Sequence, residues 1–342
     1  MRRHRRPRPT RHPRRLDGSG LVGVCGPEGA RPTPTVSVQR AAGHPRPKAQ
    51  GPVTSGGMSR PPTFTPPEGT LAYRLRTARG DFAVLDTRPT GEVKGTALLL
   101  PGFTGSKEDF IALLRPLAAA GYRTVSIDGR GQYESDGPDD ESAYAQAELA
   151  SDVLAQAAAV REPGDGPAHL LGHSLGGLVA RAAALLAPAT FASLTLMSSG
   201  PAHVAPSQQI RAKLLTDALA THPMDVVWNA MQAMGPPEDA DIDGAELRAR
   251  WLRNNPAQLI ATGKQLCGEP DRVDALAALP LPKHVVSGVR DDTWPVPLLD
   301  EMARRLDAHR TVITGAEHSP NTDRPSETAA ALAAFWDSLA PQ

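Results

Sequence analysis

Leu170-Leu171-Gly172-His173-Ser174-Leu175-Gly176-Gly177 runs from a short apolar segment straight into a helical pattern. A strand that turns at once into a helix leaves no room for side chains at two positions of the turn. Gly172 and Gly176 remove the Cβ atoms that would collide there. The bend can then push the Ser174 hydroxyl clear of its surroundings, while the first free N–H groups of the following helix converge on the same spot. G-x-S-x-G alone is common. Between an apolar strand and a helix it marks Ser174 as a candidate nucleophile.

The pattern on either side fits such a turn. Tyr73–Thr77 and Phe82–Asp86 alternate polar with apolar across Ala78-Arg79-Gly80, which predicts an antiparallel hairpin. Ala97–Leu100, Thr124–Ile127, His169–Leu171, Leu194–Met197, His284–Val286 and Thr311–Ile313 are apolar without alternation, as strands covered on both faces should be. Helical patterns lie between most of them, at Ser106–Ala120, Ala143–Val160, Leu175–Leu186, Val296–Leu306 and Pro325–Leu339. This alternation predicts an α/β protein with a mostly parallel, doubly wound sheet of about eight strands.

Between Met197 and Pro282 no strand is evident, and helices are expected near Gln208–Ala220, Met224–Met234, Ala245–Asn254 and Pro256–Leu266. Ligands of open parallel sheets bind outside the carboxyl ends of the strands, so an all-helical insertion at 201–282 is placed to act as a cap. The core then comprises residues 70–200 and 283–342. Met224, Trp228 and Met231, with Val227 and Met234, recur at helical spacing. This stripe either packs the cap onto the core or lines an acyl pocket with adaptable Met side chains, which makes Met224, Trp228 and Met231 the candidate substrate contacts.

A serine hydroxyl near neutral pH needs a base within hydrogen-bond reach and a carboxylate to orient that base. In this type of sheet the two follow the nucleophile in the order acid, then histidine, on loops after later strands. Gly315-Ala316-Glu317-His318 makes His318 the expected base, and Gly288-Val289-Arg290-Asp291-Asp292-Thr293-Trp294-Pro295 makes Asp291 the expected acid, with Asp292 beside it as the competitor. The oxyanion of a tetrahedral intermediate needs two N–H donors, each worth roughly 3–4 kcal/mol. Leu175 supplies one. The loop Pro101-Gly102-Phe103-Thr104-Gly105 supplies the other, at Phe103.

Composition narrows the alternatives. The 342 residues are 40% hydrophobic and 22% charged, enough for a large core, with no apolar run long enough to span a bilayer. Lys plus Arg and Asp plus Glu balance at 37 each, yet residues 1–57 hold 11 Arg and one Lys against Asp17 and Glu28. That stretch contains nine Pro, nine Gly and none of the chain's Phe, Trp or Tyr, so it cannot bury enough apolar area to order itself and is expected to be a disordered extension. It makes a poor secretion or lipoprotein signal, because Asp17 and three Gly interrupt the apolar segment before Cys25. It offers nucleic acid only charge, with no aromatic ring to stack on bases. Met58, followed by Ser59-Arg60-Pro61-Pro62, reads as an alternative start. Two cysteines, Cys25 and Cys267, make no disulfide framework, which suggests a reducing cytoplasm. Neither has the partners of a zinc site, and His169-x3-His173 offers too few ligands, so no metal is expected.

From about residue 70 to the C-terminus the chain resembles the α/β-hydrolase family, in the cap-bearing branch of esterases, monoacylglycerol-type lipases and cofactor-free haloperoxidases. The resemblance rests on the elbow at Ser174, the Gly-x-x-Asp-x-x-x-Pro loop at Asp291, the Gly-x-x-His loop at His318 and the turn Asp128-Gly129-Arg130-Gly131. It implies structural roles for Asp128 and Arg130. There are two departures. The oxyanion loop begins Pro101-Gly102 where the family usually has His-Gly, and Gly131-Gln132-Tyr133-Glu134-Ser135 stands where it usually has Gly-His-Gly-x-Ser. The expected function is hydrolysis of a small ester or acylglycerol through an acyl-enzyme, without a cofactor. No Arg or Lys cluster near the cap calls for an anionic substrate. The resemblance leaves open carbon–carbon hydrolysis, haloperoxidase or lyase chemistry on the same residues, and a catalytically silent binding member. Oligomeric state is not legible.

Overall fold

The computed structural model describes residues 58–234 and 244–339. The expectations for residues 1–57, including Cys25, lie outside them. Eight strands, β1 (Thr70–Thr77), β2 (Gly80–Thr87), β3 (Gly95–Leu100), β4 (Tyr122–Ile127), β5 (Ala168–His173), β6 (Phe191–Met197), β7 (Lys283–Gly288) and β8 (His309–Ile313), form one sheet in the order β1-β2-β4-β3-β5-β6-β7-β8. β2 runs antiparallel to β1 and to β4, and the remaining pairings are parallel. The expected fold class is the observed one. Thr77 pairs with Gly80, so only Ala78 and Arg79 form the turn of the hairpin.

The helices are α1 (Ile111–Ala119), α2 (Gln146–Val160), α3 (Leu175–Leu186), α4 (Pro206–Leu219), α5 (Met224–Met234), α6 (Gly244–Arg253), α7 (Pro256–Gly268), α8 (Val273–Ala277), α9 (Val296–Arg305), α10 (Pro320–Asp323) and α11 (Pro325–Asp337). No helix among the described residues is long and apolar enough to cross a membrane. α1 and α11 cover one face of the sheet, and α2, α3, α8 and α9 cover the other. In β3, Leu98 and Leu100 point to the second group while Ala97 and Leu99 point to the first, so the unbroken apolar run is a period-2 strand with two buried faces.

Two expected helices begin later than their patterns suggest. Lys107–Phe110 is a 3₁₀ turn held by a reciprocal cap between Ser106 and Asp109, and Glu141–Tyr144 is another, ending at an extended Ala145. In both cases local side-chain hydrogen bonds compete with the helix.

The insertion between β6 and β7 has a small apolar cluster of its own: Leu219, Val227, Trp228, Leu247, Trp251 and Leu259. Its helices α4 and α7 approach closely at Gly263, where a Cβ would lie 2.5 Å from Thr216 Cγ2. α8, which no sequence pattern marked, buries Val273 and Leu276 in the main core. The corner between α6 and α7 is fastened to the body. Asn255 N–H donates to Gly131 O at 2.8 Å, Asn255 Nδ2 to Gly137 O at 3.0 Å, and Tyr133 N–H to Asn254 Oδ1 at 3.1 Å. A fully buried ion pair, Arg250 Nη1 to Asp109 Oδ1 at 2.9 Å, joins α6 to the turn before α1. Ser59 completes this clasp: its hydroxyl donates to Asp109 Oδ2 at 2.7 Å, and its carbonyl accepts from Arg250 Nη2.

Candidate active site

Ser174 links β5 to α3 in a conformation that L residues seldom adopt, φ 53° and ψ −118°. The surroundings enforce it. A Cβ on Gly172 would stand 2.2 Å from Gly176 O, and one on Gly176 would stand 2.3 Å from Leu100 O, so the strand-to-helix bend closes only with glycine at both places. Ser174 N–H donates to Met197 O at 2.9 Å, which moors the elbow to β6.

His318 follows β8 and Asp291 follows β7. The structure brings both to Ser174: His318 Nε2 lies 3.1 Å from Ser174 Oγ, and His318 Nδ1 lies 2.9 and 3.0 Å from the two oxygens of Asp291. A carboxylate can only accept, so Nδ1 carries the imidazole proton and Nε2 turns a free lone pair toward the serine hydroxyl. Asp291 Oδ1 is further held by the N–H groups of Thr293 at 2.8 Å and Trp294 at 3.0 Å, and its side chain is fully buried. Asp292 is exposed. Of the adjacent pair, only Asp291 meets the imidazole.

Of the two expected oxyanion donors, Leu175 follows Ser174 in the chain and Phe103 follows a residue that packs against Ser174. Leu175 is the first residue of α3, so its N–H has no carbonyl within the helix to bond. Gly102 presses against Ser174, since a Cβ there would be 3.3 Å from Ser174 Cβ, and Phe103 follows it. The Phe103 ring bridges the main core and the cluster of the insertion, near α7 at Gly263. Trp228 is buried inside the insertion's cluster, and Met224 and Met231 pack on that cluster, as Phe103 also does. Met234, at the end of the stripe, is 81% exposed.

Three features were not read from the sequence. His173, at the variable position of the elbow, directs Nε2 to His318 O at 2.8 Å. A carbonyl accepts, so Nε2 carries the proton, and burial, aided by the neighbouring His318, lowers the His173 pKa to about 4. His173 therefore stays a neutral donor that holds the His318 loop in place. Asn321, just after that loop, donates to Asp109 O at 2.8 Å, tying it to the Arg250–Asp109 clasp. Gln132 reaches Gly102 O. Each contact joins residues far apart in sequence. Only the substitution at Gln132 left any trace, as a departure from the usual turn.

Asp128 and Arg130 have partners that suit structural roles. Asp128, fully buried, accepts from Lys107 N–H at 2.7 Å and Lys107 Nζ at 2.9 Å. Burial, only partly offset by Lys107, raises its pKa above the ordinary carboxylate value. Arg130 grips Asp152 with two hydrogen bonds, of 2.7 and 2.5 Å. Among the described residues no group of three or more His, Cys, Asp or Glu is placed to hold a metal.

A model of the alpha/beta hydrolase family matches residues 97–331, which include the elbow, the acid and the histidine. The chain belongs to the alpha/beta hydrolase family. Over 172 residues this α/β-hydrolase is 37% identical to the pimeloyl-(acyl-carrier protein) methyl ester esterase of Aeromonas hydrophila, covering 46% of the chain and 66% of that relative. The chain thus spans just under two thirds of that protein's length. It is 32% identical over 192 residues to the protein of the same name from Methylococcus capsulatus, covering 52% of the chain and 74% of the relative. A thermophilic esterase from Thermogutta terrifontis shares the fold, with a TM-score of 0.62 over 79% of this chain and 99% of that one, at 21% identity.

Proposed function

We propose that this α/β-hydrolase is a serine esterase that cleaves a neutral carboxylic ester, a small ester or an acylglycerol, through an acyl-enzyme. The observation that carries the reading is the unbroken hydrogen-bonded chain from Ser174 Oγ through His318 to Asp291, with Ser174 at the head of α3. Ser174 Oγ attacks the ester carbonyl carbon as His318 Nε2 takes its proton, and the carbonyl electrons become an oxyanion held by the N–H groups of Leu175 and Phe103. Collapse breaks the bond to the alcohol, which leaves with the proton from His318. Water then gives a proton to His318 as its oxygen joins the acyl carbon; collapse breaks the bond from that carbon to Oγ, which takes the proton back from His318, releasing the acid and restoring Ser174. Asp291 orients the imidazole and stabilises its charged form.

The names of the Aeromonas and Methylococcus relatives support an ester as substrate. We assign the insertion, residues 201–282, as a cap over the site, with Met224, Trp228 and Met231 shaping its acyl side through Phe103. A reducing cytoplasm is the compartment that suits the thiol of Cys267. The test is burst release of nitrophenol from p-nitrophenyl acetate, together with labelling by a fluorophosphonate. Ser174→Ala should lose both, with turnover falling by at least about four orders of magnitude. Wild-type protein that gives neither hydrolysis nor labelling overturns the reading.

A further inference from the structure

We propose that Gln132 is a positioning residue of the oxyanion hole, its side-chain amide fixing the plane of the Gly102–Phe103 peptide. The inference rests on the esterase reading above and extends it to a residue outside the triad. Gln132 is buried, and its neighbours decide which way its amide faces. Gly129 N–H donates to Oε1 at 2.9 Å, which turns the NH₂ group toward Gly102 O at 3.0 Å. That oxygen also accepts from Gly105 N–H at 3.2 Å. In a planar trans peptide the carbonyl and the following N–H point in opposite directions, so anchoring the oxygen of Gly102 anchors the N–H of Phe103. A peptide whose oxygen is already hydrogen-bonded is also polarised into a stronger donor.

The anchor matters because the chain itself restrains this peptide only through the turn bond from Gly105 N–H and the packing of Gly102 on Ser174. Gly102 has no side chain to limit rotation, and Pro101 has no N–H to bond. Gln132 is itself rigidly placed. Its N–H donates to Gly129 O at 3.0 Å, its carbonyl accepts from Ser135 N–H at 2.8 Å, and the next residue, Tyr133, donates to Asn254 of the insertion. The two departures from the family pattern, Pro101-Gly102 in one loop and Gln132 in the other, therefore meet in a single hydrogen bond.

The test is a pair of variants. Assayed at a pH where its carboxylate is ionised, Q132E keeps an acceptor for Gly129 N–H and sets an acceptor-only oxygen against Gly102 O in place of the donor, while Q132M removes both. On a short-chain p-nitrophenyl ester each should lower kcat by about 10- to 100-fold, with KM within about threefold of wild type. Affinity for a trifluoromethyl ketone, which forms a hemiketal oxyanion on the serine, should fall in proportion to kcat/KM. A folded variant with kcat within about threefold of wild type overturns the inference, and so does a loss of kcat that leaves ketone affinity unchanged. Should Q132M not fold, Q132E decides alone. Ser174→Ala separates the two layers: if it abolishes turnover and labelling, the esterase reading stands whatever the Gln132 variants do, and if it does not, both fall.

Discussion

At the carboxyl ends of β5, β7 and β8, three side chains separated by 144 and 27 residues meet within hydrogen-bond distance, one on the turn out of β5 and two on the loops that leave β7 and β8. The insertion α4–α7 is assembled differently. Its helices share a cluster of six buried apolar residues and are fastened to the body by side chains: Asn254, Asn255 and the Arg250–Asp109 pair. Position in the first region comes from strand register, and in the second from packing and a few polar clasps. The first should therefore respond to substitution in rate, and the second in stability and selectivity.

The largest effect should appear where this contrast is sharpest, between two adjacent carboxylates. Asp291→Asn is expected to reduce kcat by about 10⁴-fold, because the imidazole loses the acceptor that fixes its tautomer. The same change at exposed Asp292 should alter it by less than about threefold. Steady-state kinetics on the two variants decide it, and comparable losses would mean that the strand ends are not the rigid half of the molecule.

Arg250→Met probes the other half. It leaves Asp109 buried without its cation and is expected to cost about 3–5 kcal/mol in urea unfolding. The activity that remains at low denaturant should fall far less than in Asp291→Asn.

Acid should act on the body before it acts on the insertion. Burial lowers the pKa of His169 and His173 to about 4 and of His284 to about 3, while the unfolded chain keeps the ordinary value near 6.5. Below about pH 6.5 the unfolded state takes up protons that the folded state refuses until about pH 4, so stability declines across that window as pH falls. Urea midpoints measured from pH 7 to pH 5 should drop accordingly, and His284→Gln should flatten the curve. The smallest effects belong to Met224→Ala and Met231→Ala. These should shift acyl-length preference by less than about tenfold in kcat/KM across a graded ester series.

How much of this was legible in the sequence follows the same division. The elbow, the order of acid and base, and the two-faced strands obey local rules: glycine where Cβ atoms collide, apolar runs where both faces are covered, loops at strand ends. Gly172 and Gly176 could be read because the clash they avoid lies within a few residues or against an adjacent strand. Asp291 and Asp292 could be separated only by the direction each side chain takes after β7. The clasp of Ser59, Asp109 and Arg250, the hydrogen bond from His173 to His318 O, and the reach of Gln132 to Gly102 join residues 30 to 191 positions apart, and no periodicity encodes such partners. α8 escaped notice because five residues are too few to show a helical period.

The parallel pairing of β7 with β8, Val286 opposite Thr311 and Gly288 opposite Ile313, makes chain length a functional variable. Deleting one residue from β7 would send its buried side chains to the wrong face and swing the acid loop away from the imidazole. Evolution can therefore exchange side chains along these strands more freely than it can lengthen or shorten them. With the insertion as the proposed cap, new specificities should be more accessible through changes in the size of the helical excursion.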